Sequence, residues 1–251
     1  MGALDGRRAL VTGGGQGVGR GIALALAADG AAVALMGRTE DKLVAVAHEI
    51  EDLGGTAFAI VGDVTIADDI ARVVRESVAA LGGLDILVNN AQIPAHGSLL
   101  SIADEAYVAA WESGPLATFR MMREVRPHLT AGSVIINLGS STSVNPMPTG
   151  RGVYASAKSA IATLTRVAAT EWGPDGIRAL TVLPAATSPA SEHWAAANPE
   201  EYQRSLQSIP LRRLGDPIEG IGRAVAVLCA PTAQFITGTT VALDGGQAYL
   251  R

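Results

Sequence analysis

Tyr154-Ala155-Ser156-Ala157-Lys158 sets a phenol and an ammonium four residues apart in a stretch of helical patterning. That spacing puts both side chains on one helix face. A free tyrosine has a pKa of about 10, too high for proton transfer near neutrality. A cation beside it stabilises the phenolate and lowers that value. The pair can then give or take a proton at a substrate oxygen. Upstream, Asn137-Leu138-Gly139-Ser140-Ser141 ends an apolar run, so a serine hydroxyl can face the same cavity. A tyrosine and a lysine at this spacing are commonplace on helix surfaces. Their weight here comes from the elements around them.

The first of those elements is Thr12-Gly13-Gly14-Gly15-Gln16-Gly17-Val18-Gly19. An apolar run leads into it and an alanine-rich helical stretch follows. Strand, glycine turn and helix in that order form a phosphate cradle. The glycines permit a tight turn and close approach of a ligand. The helix start offers unpaired N–H groups and a positive dipole end. The spacing is T-G-x-x-x-G-x-G and not G-x-G-x-x-G.

Apolar runs alternate with helical patterns along the rest of the chain. Strands are expected at 8–11, 32–36, 56–61, 86–88, 133–138, 178–183 and 240–243. Helices are expected at 18–29, 40–53, 66–81, 104–129, 153–172 and 217–228. Continuous apolar strands suit a sheet covered on both faces, and the alternation implies an α/β fold with a parallel sheet. No repeat or linker divides the chain, so residues 1–251 are expected to form one domain. The stretch 184–213 reads as a long irregular loop, a candidate lid over substrate carrying Trp194 and Tyr202.

Composition narrows the function. The chain has 251 residues, 48% of them hydrophobic, enough for one sizeable core. Its formal charge is −5 with no basic block, which argues against a nucleic-acid partner. No apolar stretch is long enough for a membrane span, and the N-terminus lacks a signal peptide's apolar region. The single cysteine, Cys229, permits no internal disulfide, so a reducing compartment and a cytoplasmic location are expected. It sits in the apolar run 224–230, as a core residue would. No His, Cys and carboxylate cluster suggests a metal site.

Three further positions bear on a cofactor. After the second strand, Gly37 offers no carboxylate to ribose hydroxyls, whereas Arg38 offers a planar cation suited to a 2′-phosphate, with Arg20 adding positive potential. That favours NADP, with NAD possible if Arg38 instead pairs with Glu40 or Asp41. Asp63, before Val64, can accept from an adenine amino group, and Asp63 or Thr65 can equally cap the next helix. Asn89-Asn90-Ala91 ends the fourth strand, where open α/β sheets bind ligands; the asparagines can also brace loops.

Together these residues resemble the short-chain dehydrogenase/reductase family, in its classical branch. The resemblance rests on Thr12–Gly19 as T-G-x-x-x-G-x-G, Asn89-Asn90-Ala91 as N-N-A and Tyr154–Lys158 as Y-x-x-x-K, and it spans essentially the whole chain. It implies a Rossmann-type, doubly wound sheet of seven parallel strands with helices on both faces. It implies hydride transfer between a nicotinamide cofactor and a small carbonyl or alcohol substrate. Tyr154 would be the acid/base, Lys158 would bind the nicotinamide ribose and tune Tyr154, and a serine would hold the substrate oxygen. Spacing from the tyrosine points to Ser141, and the strand-end pattern points to Ser140, which is preferred. The implied cofactor set is Gly13, Gly15, Gln16, Gly17, Val18, Gly19, Arg38, Asp63, Val64, Asn90, Ala91, Tyr154, Lys158, Pro184 and Thr187. Family members are commonly tetramers, so a homo-oligomer, tetramer or dimer, is expected.

The chain departs from the family pattern at three places. Gln92 replaces a glycine beside the expected nicotinamide pocket, and Ala185 replaces the glycine after Pro184. Gly114 stands where the family has a catalytic asparagine that helps hold a water linking the lysine to solvent. Pro115 follows, and its missing N–H would leave the Trp111 carbonyl without a partner in a helix. A kinked helix with a bare carbonyl that holds the water is therefore expected at Gly114-Pro115. The alternative reading is a catalytically weak nucleotide-binding protein acting as sensor or partner subunit. Gln92, His96, Met147, Arg151, Trp194 and Tyr202 are candidate pocket walls.

Overall fold

The computed structural model describes residues 2–145 and 150–248. Seven strands form one parallel sheet in the order β3-β2-β1-β4-β5-β6-β7. They are β1 (Arg8–Thr12), β2 (Ala32–Gly37), β3 (Ala57–Val61), β4 (Ile86–Asn89), β5 (Val134–Leu138), β6 (Arg178–Pro184) and β7 (Thr240–Leu243). The connecting helices are α1 (Gly17–Ala28), α2 (Glu40–Asp52), α3 (Ala67–Leu81), α4 (Asp104–Trp111), α5 (Ala117–Val125), α6 (Gly152–Trp172), α7 (Pro189–Ala197), α8 (Pro199–Gln207) and α9 (Arg223–Cys229). The chain winds outward from β1 to β3, then returns to place β4 on the other side of β1. That reversal opens a crevice at the carboxyl ends of β1 and β4, where such sheets bind ligands.

The strands are buried because both faces are covered. On one face Val11, Val33 and Val88 pack with Ile22 and Leu26 of α1, Ile50 of α2 and Val225 of α9. On the other, Leu10, Ala34 and Leu87 pack with Val73 of α3, Met121 and Val125 of α5 and Ala168 of α6. Neighbouring residues of one strand serve opposite faces, so the strands are mostly apolar, and the buried Asn89 and Asn137 amides are hydrogen-bonded. Cys229 is buried in the first cluster, and burial pushes its thiol up to about 12. No helix among the described residues is long and apolar enough to cross a membrane.

Two expectations about helices are corrected. The stretch 184–213 is not irregular: it holds α7 and α8, whose Trp194 and Tyr202 rings meet edge-on at 6.0 Å. The helix expected over 104–129 is broken by a π-helical turn, Glu112–Leu116, with Pro115 inside it. In such a turn each carbonyl meets the N–H five residues on, and the Ala117 N–H donates to Glu112 in that way. The Trp111 carbonyl is thereby offered the Leu116 N–H. The helix is interrupted at Gly114-Pro115, but by a π-helical turn, so the bare carbonyl expected at Trp111 is absent.

A second π-helical turn, Pro217–Gly222, docks against α1 backbone to backbone. A Cβ at Gly21 would lie 2.2 Å from the Pro217 carbonyl oxygen. Overpacking of that kind costs typically 1–3 kcal/mol. Gly21→Ala is therefore expected to lower unfolding free energy by about 3 kcal/mol, read as a lower urea midpoint at unchanged slope. An unchanged midpoint would contradict the contact.

Candidate active site

The crevice has a volume of about 520 Å³, within the range of small-molecule sites. Its floor is the turn after β1. Gly13 and Gly17 have φ of +66° and +55°, a left-handed backbone that favours glycine. A Cβ at Gly19 would sit 2.2 Å from the Gly13 carbonyl oxygen, so the turn closes only on a bare backbone. No side chain caps α1; Gln16 at its N-cap instead accepts from Lys42 Nζ at 2.6 Å. The first-turn N–H groups of α1 are left open to an anion.

Thr12 ties this turn to the next strand. Its Oγ1 accepts from the N–H groups of Asn90 (3.0 Å) and Ala91 (3.1 Å). The Asn90 side-chain amide donates to the carbonyls of Thr12 and Gly13 at 3.0 and 3.2 Å. Asn89 donates to Asn137 Oδ1 at 2.8 Å, and Asn137 donates to Thr165 Oγ1 of α6 at 2.9 Å. The asparagines thus brace loops and strands, and Asn90 also lines the crevice.

Gly13, Gly15, Gln16, Gly17, Val18, Arg38, Asp63, Val64, Asn90 and Ala91 line the crevice. Gly19, Tyr154, Lys158, Pro184 and Thr187 are not among its lining residues; Gly19 shapes the turn from behind, and Ser188 and Pro189 form the wall instead. Asp63 does not cap α3, whose N-cap is Ile66; its Oδ1 accepts from the N–H and hydroxyl of Thr65, both at 2.9 Å. Arg20 adds no free charge to the site, because it is paired with Glu49. Arg38 makes neither of the pairings foreseen; its described ion-pair partner is Asp63 at 4.0 Å, with two thirds of its side chain exposed. Lys42, Thr39 and Ser113 also line the crevice without having been foreseen. Lys42 was legible as a cation in the first turn of a helix starting just after Arg38.

Beside this crevice lies the group bearing the phenol. Asn137 pairs in register with Asn89, so the end of β5 adjoins the crevice wall that starts at Asn90. Lys158 is 4% exposed, and its Nζ donates to the Leu138 carbonyl at 2.6 Å. The same nitrogen lies 5.5 Å from the centroid of the Tyr154 ring. Burial pulls the ammonium down to about 7. Burial also pushes the Tyr154 phenol above its ordinary value, while the Ser140 hydroxyl and the exposed Arg151 pull it down. The expectation that Lys158 lowers the phenol is corrected for the ligand-free protein: burial outweighs every charge acting on Tyr154. Ser140 Oγ shares a hydrogen bond with Thr142 Oγ1 at 2.9 Å. Ser141 is turned elsewhere, donating to Gln247 at 3.3 Å. His96 is an exposed loop residue and Met147 lies outside the described residues.

These features fit a dinucleotide. An uncapped helix start faces a glycine floor too tight for side chains, with Arg38 and Lys42 at one end and a half-buried phenol with its buried ammonium beside the other. A family model described as enoyl-(acyl carrier protein) reductase matches residues 13–248. A 12α-hydroxysteroid dehydrogenase from Clostridium sp. is 40% identical over 98% of this chain and 98% of its own. A short-chain dehydrogenase from Burkholderia cenocepacia, solved in complex with NADP, superposes with a TM-score of 0.91 at 32% identity, covering 98% of this chain and 99% of that one. A 7α-hydroxysteroid dehydrogenase complexed with NADH and 7-oxo glycochenodeoxycholic acid superposes with a TM-score of 0.90 at 31% identity, covering 98% and 95%.

Proposed function

Because the chain belongs to the short-chain dehydrogenase/reductase family of oxidoreductases, we propose that it interconverts a carbonyl and a secondary alcohol with NADP(H), Tyr154 serving as acid/base. The observation that carries this reading is Lys158, a buried ammonium beside a phenol, anchored on the end of the strand next to the crevice. A sensor or partner subunit has no need of that costly arrangement.

The cofactor, when bound, supplies or takes the hydride. The chain does the rest. The Ser140 hydroxyl donates a hydrogen bond to the substrate oxygen. In reduction Tyr154 gives its phenolic proton to that oxygen; in oxidation it takes the proton back. In its protonated form Lys158 sets a positive charge beside Tyr154 and so favours the phenolate as it forms. Ser141 has no part in this scheme. At neutral pH the Tyr154 phenol is protonated, the form that gives a proton in reduction, and the cation beside it offsets the burial that opposes the phenolate.

Arg38 and Lys42 at the adenosine end support NADP over NAD. An exposed pair at 4.0 Å holds Arg38 weakly, leaving it free for a phosphate. Arg38→Asp is expected to cut kcat/KM with NADPH relative to NADH by about 10- to 100-fold, the size of a lost charge-assisted bond. An unchanged ratio removes Arg38 from the phosphate site. The exposed apolar residues Tyr107, Val108 and Phe119 on α4 and α5 support a homo-oligomer.

The test of the function is a panel of ketones and secondary alcohols, hydroxysteroids among them, followed at the nicotinamide absorbance with NADP(H) and NAD(H). Tight cofactor binding without turnover on any member would favour the non-catalytic reading.

A further inference from the structure

Gln92 follows the asparagines at the end of β4 and lines the crevice. Its carboxamide reaches back toward the broken helix. Nε2 lies 3.4 Å from the Ala110 carbonyl oxygen. A Cβ at position 114 would lie 2.6 Å from Nε2 and 2.9 Å from Cδ. Gly114 is therefore what admits the carboxamide. With Nε2 committed to Ala110, Oε1 is the free end; it is buried and, among the described residues, has no hydrogen-bond partner. Buried acceptors are nearly always satisfied, by protein, water or ligand.

Sheet order says which part of a ligand is near. Arg38 and Asp63 follow β2 and β3, the glycine turn follows β1, and Gln92 follows β4, beside the strand that leads to Ser140. A dinucleotide laid along these strand ends has its adenosine half at β2 and β3 and its other half at β4.

We propose that Gln92 Oε1 accepts a hydrogen bond from the nicotinamide half of the bound cofactor, and that Gly114 is the positioning residue that lets it do so. The ribose hydroxyls and the carboxamide of that half are all donors. The inference rests on the dinucleotide reading given above.

The test is direct binding by calorimetry, with no turnover involved. The probes are NADP and adenosine 2′,5′-diphosphate, or NAD and ADP if the wild type prefers NAD. Failure of the wild type to bind either dinucleotide would sink the parent reading and not this one. Gln92→Met keeps length and removes the acceptor. It is expected to weaken dinucleotide binding about 10-fold and leave the adenosine fragment unchanged, the scale of one hydrogen bond. Equal dinucleotide affinity would assign Oε1 to a water and overturn the proposal, as would equal losses for both probes. Gly114→Ala should reproduce the selective loss in the wild type and add nothing in a Gln92→Gly background. The same loss in both backgrounds would remove Gly114 from the positioning role.

Discussion

Tyr154→Phe is expected to lower kcat by about 10²- to 10⁴-fold, the usual contribution of a positioned proton donor. The substitution deletes one oxygen and little volume, so α6 and the Lys158 contact with Leu138 should persist. Cofactor affinity should change far less than kcat, because the glycine floor and the α1 start are untouched. Single-turnover absorbance with saturating cofactor separates the two effects. Wild-type turnover in Tyr154→Phe would rule out the phenol as the donor.

Lys158→Met is expected to have two effects of opposite sign. Turnover falls at least about 100-fold, because the charge that favours the phenolate is gone. The ligand-free protein becomes more stable at neutral and lower pH. Burial holds the folded-state lysine near 7 against an ordinary 10.5. Below pH 7 the lysine is charged in both folded and unfolded chains, and the folded chain bears the whole desolvation cost. Between about 7 and 10.5 the unfolded chain binds more protons, so wild-type stability rises with pH through this group. Above that range the cost is absent. The melting temperature of Lys158→Met should thus exceed that of the wild type by several degrees at pH 6–7, at about 2–4 °C per kcal/mol for a chain this size. The gain should shrink toward pH 10. A lower melting temperature at pH 6 would contradict the burial argument.

The sheet was legible in the amino-acid order because most strands are continuous apolar runs with no competing helical period. Observed strand ends fall within about one residue of those expected from pattern. The two helices within 184–213 are hard to see because each is only nine residues long and neither carries a long apolar period. Their starts are nonetheless written as Ser188-Pro189 and Asn198-Pro199, each a capping-type residue before a proline at the first helical position. Read as turn punctuation, those pairs concealed two helices. Pro115 marked a break but not its form: a π-helical turn absorbs a missing N–H by passing each carbonyl one residue further along. The phenol and ammonium could be singled out from their spacing and the elements around them, whereas the state of the phenol could not, because burial depends on the packing of remote elements. Arg20 shows the same limit, since Glu49 lies 29 residues away in sequence and one helix away in space. The carboxamide of Gln92 could be suspected from its neighbours, but its orientation depends on what position 114 lacks.

The Lys158 ammonium is anchored on a peptide oxygen, which every residue type carries. Mutational scanning at position 138 should therefore register side-chain volume alone, and genetic drift there cannot delete the anchor. A wandering of the main chain would be required, making the placement of this cation a property inherited with the fold.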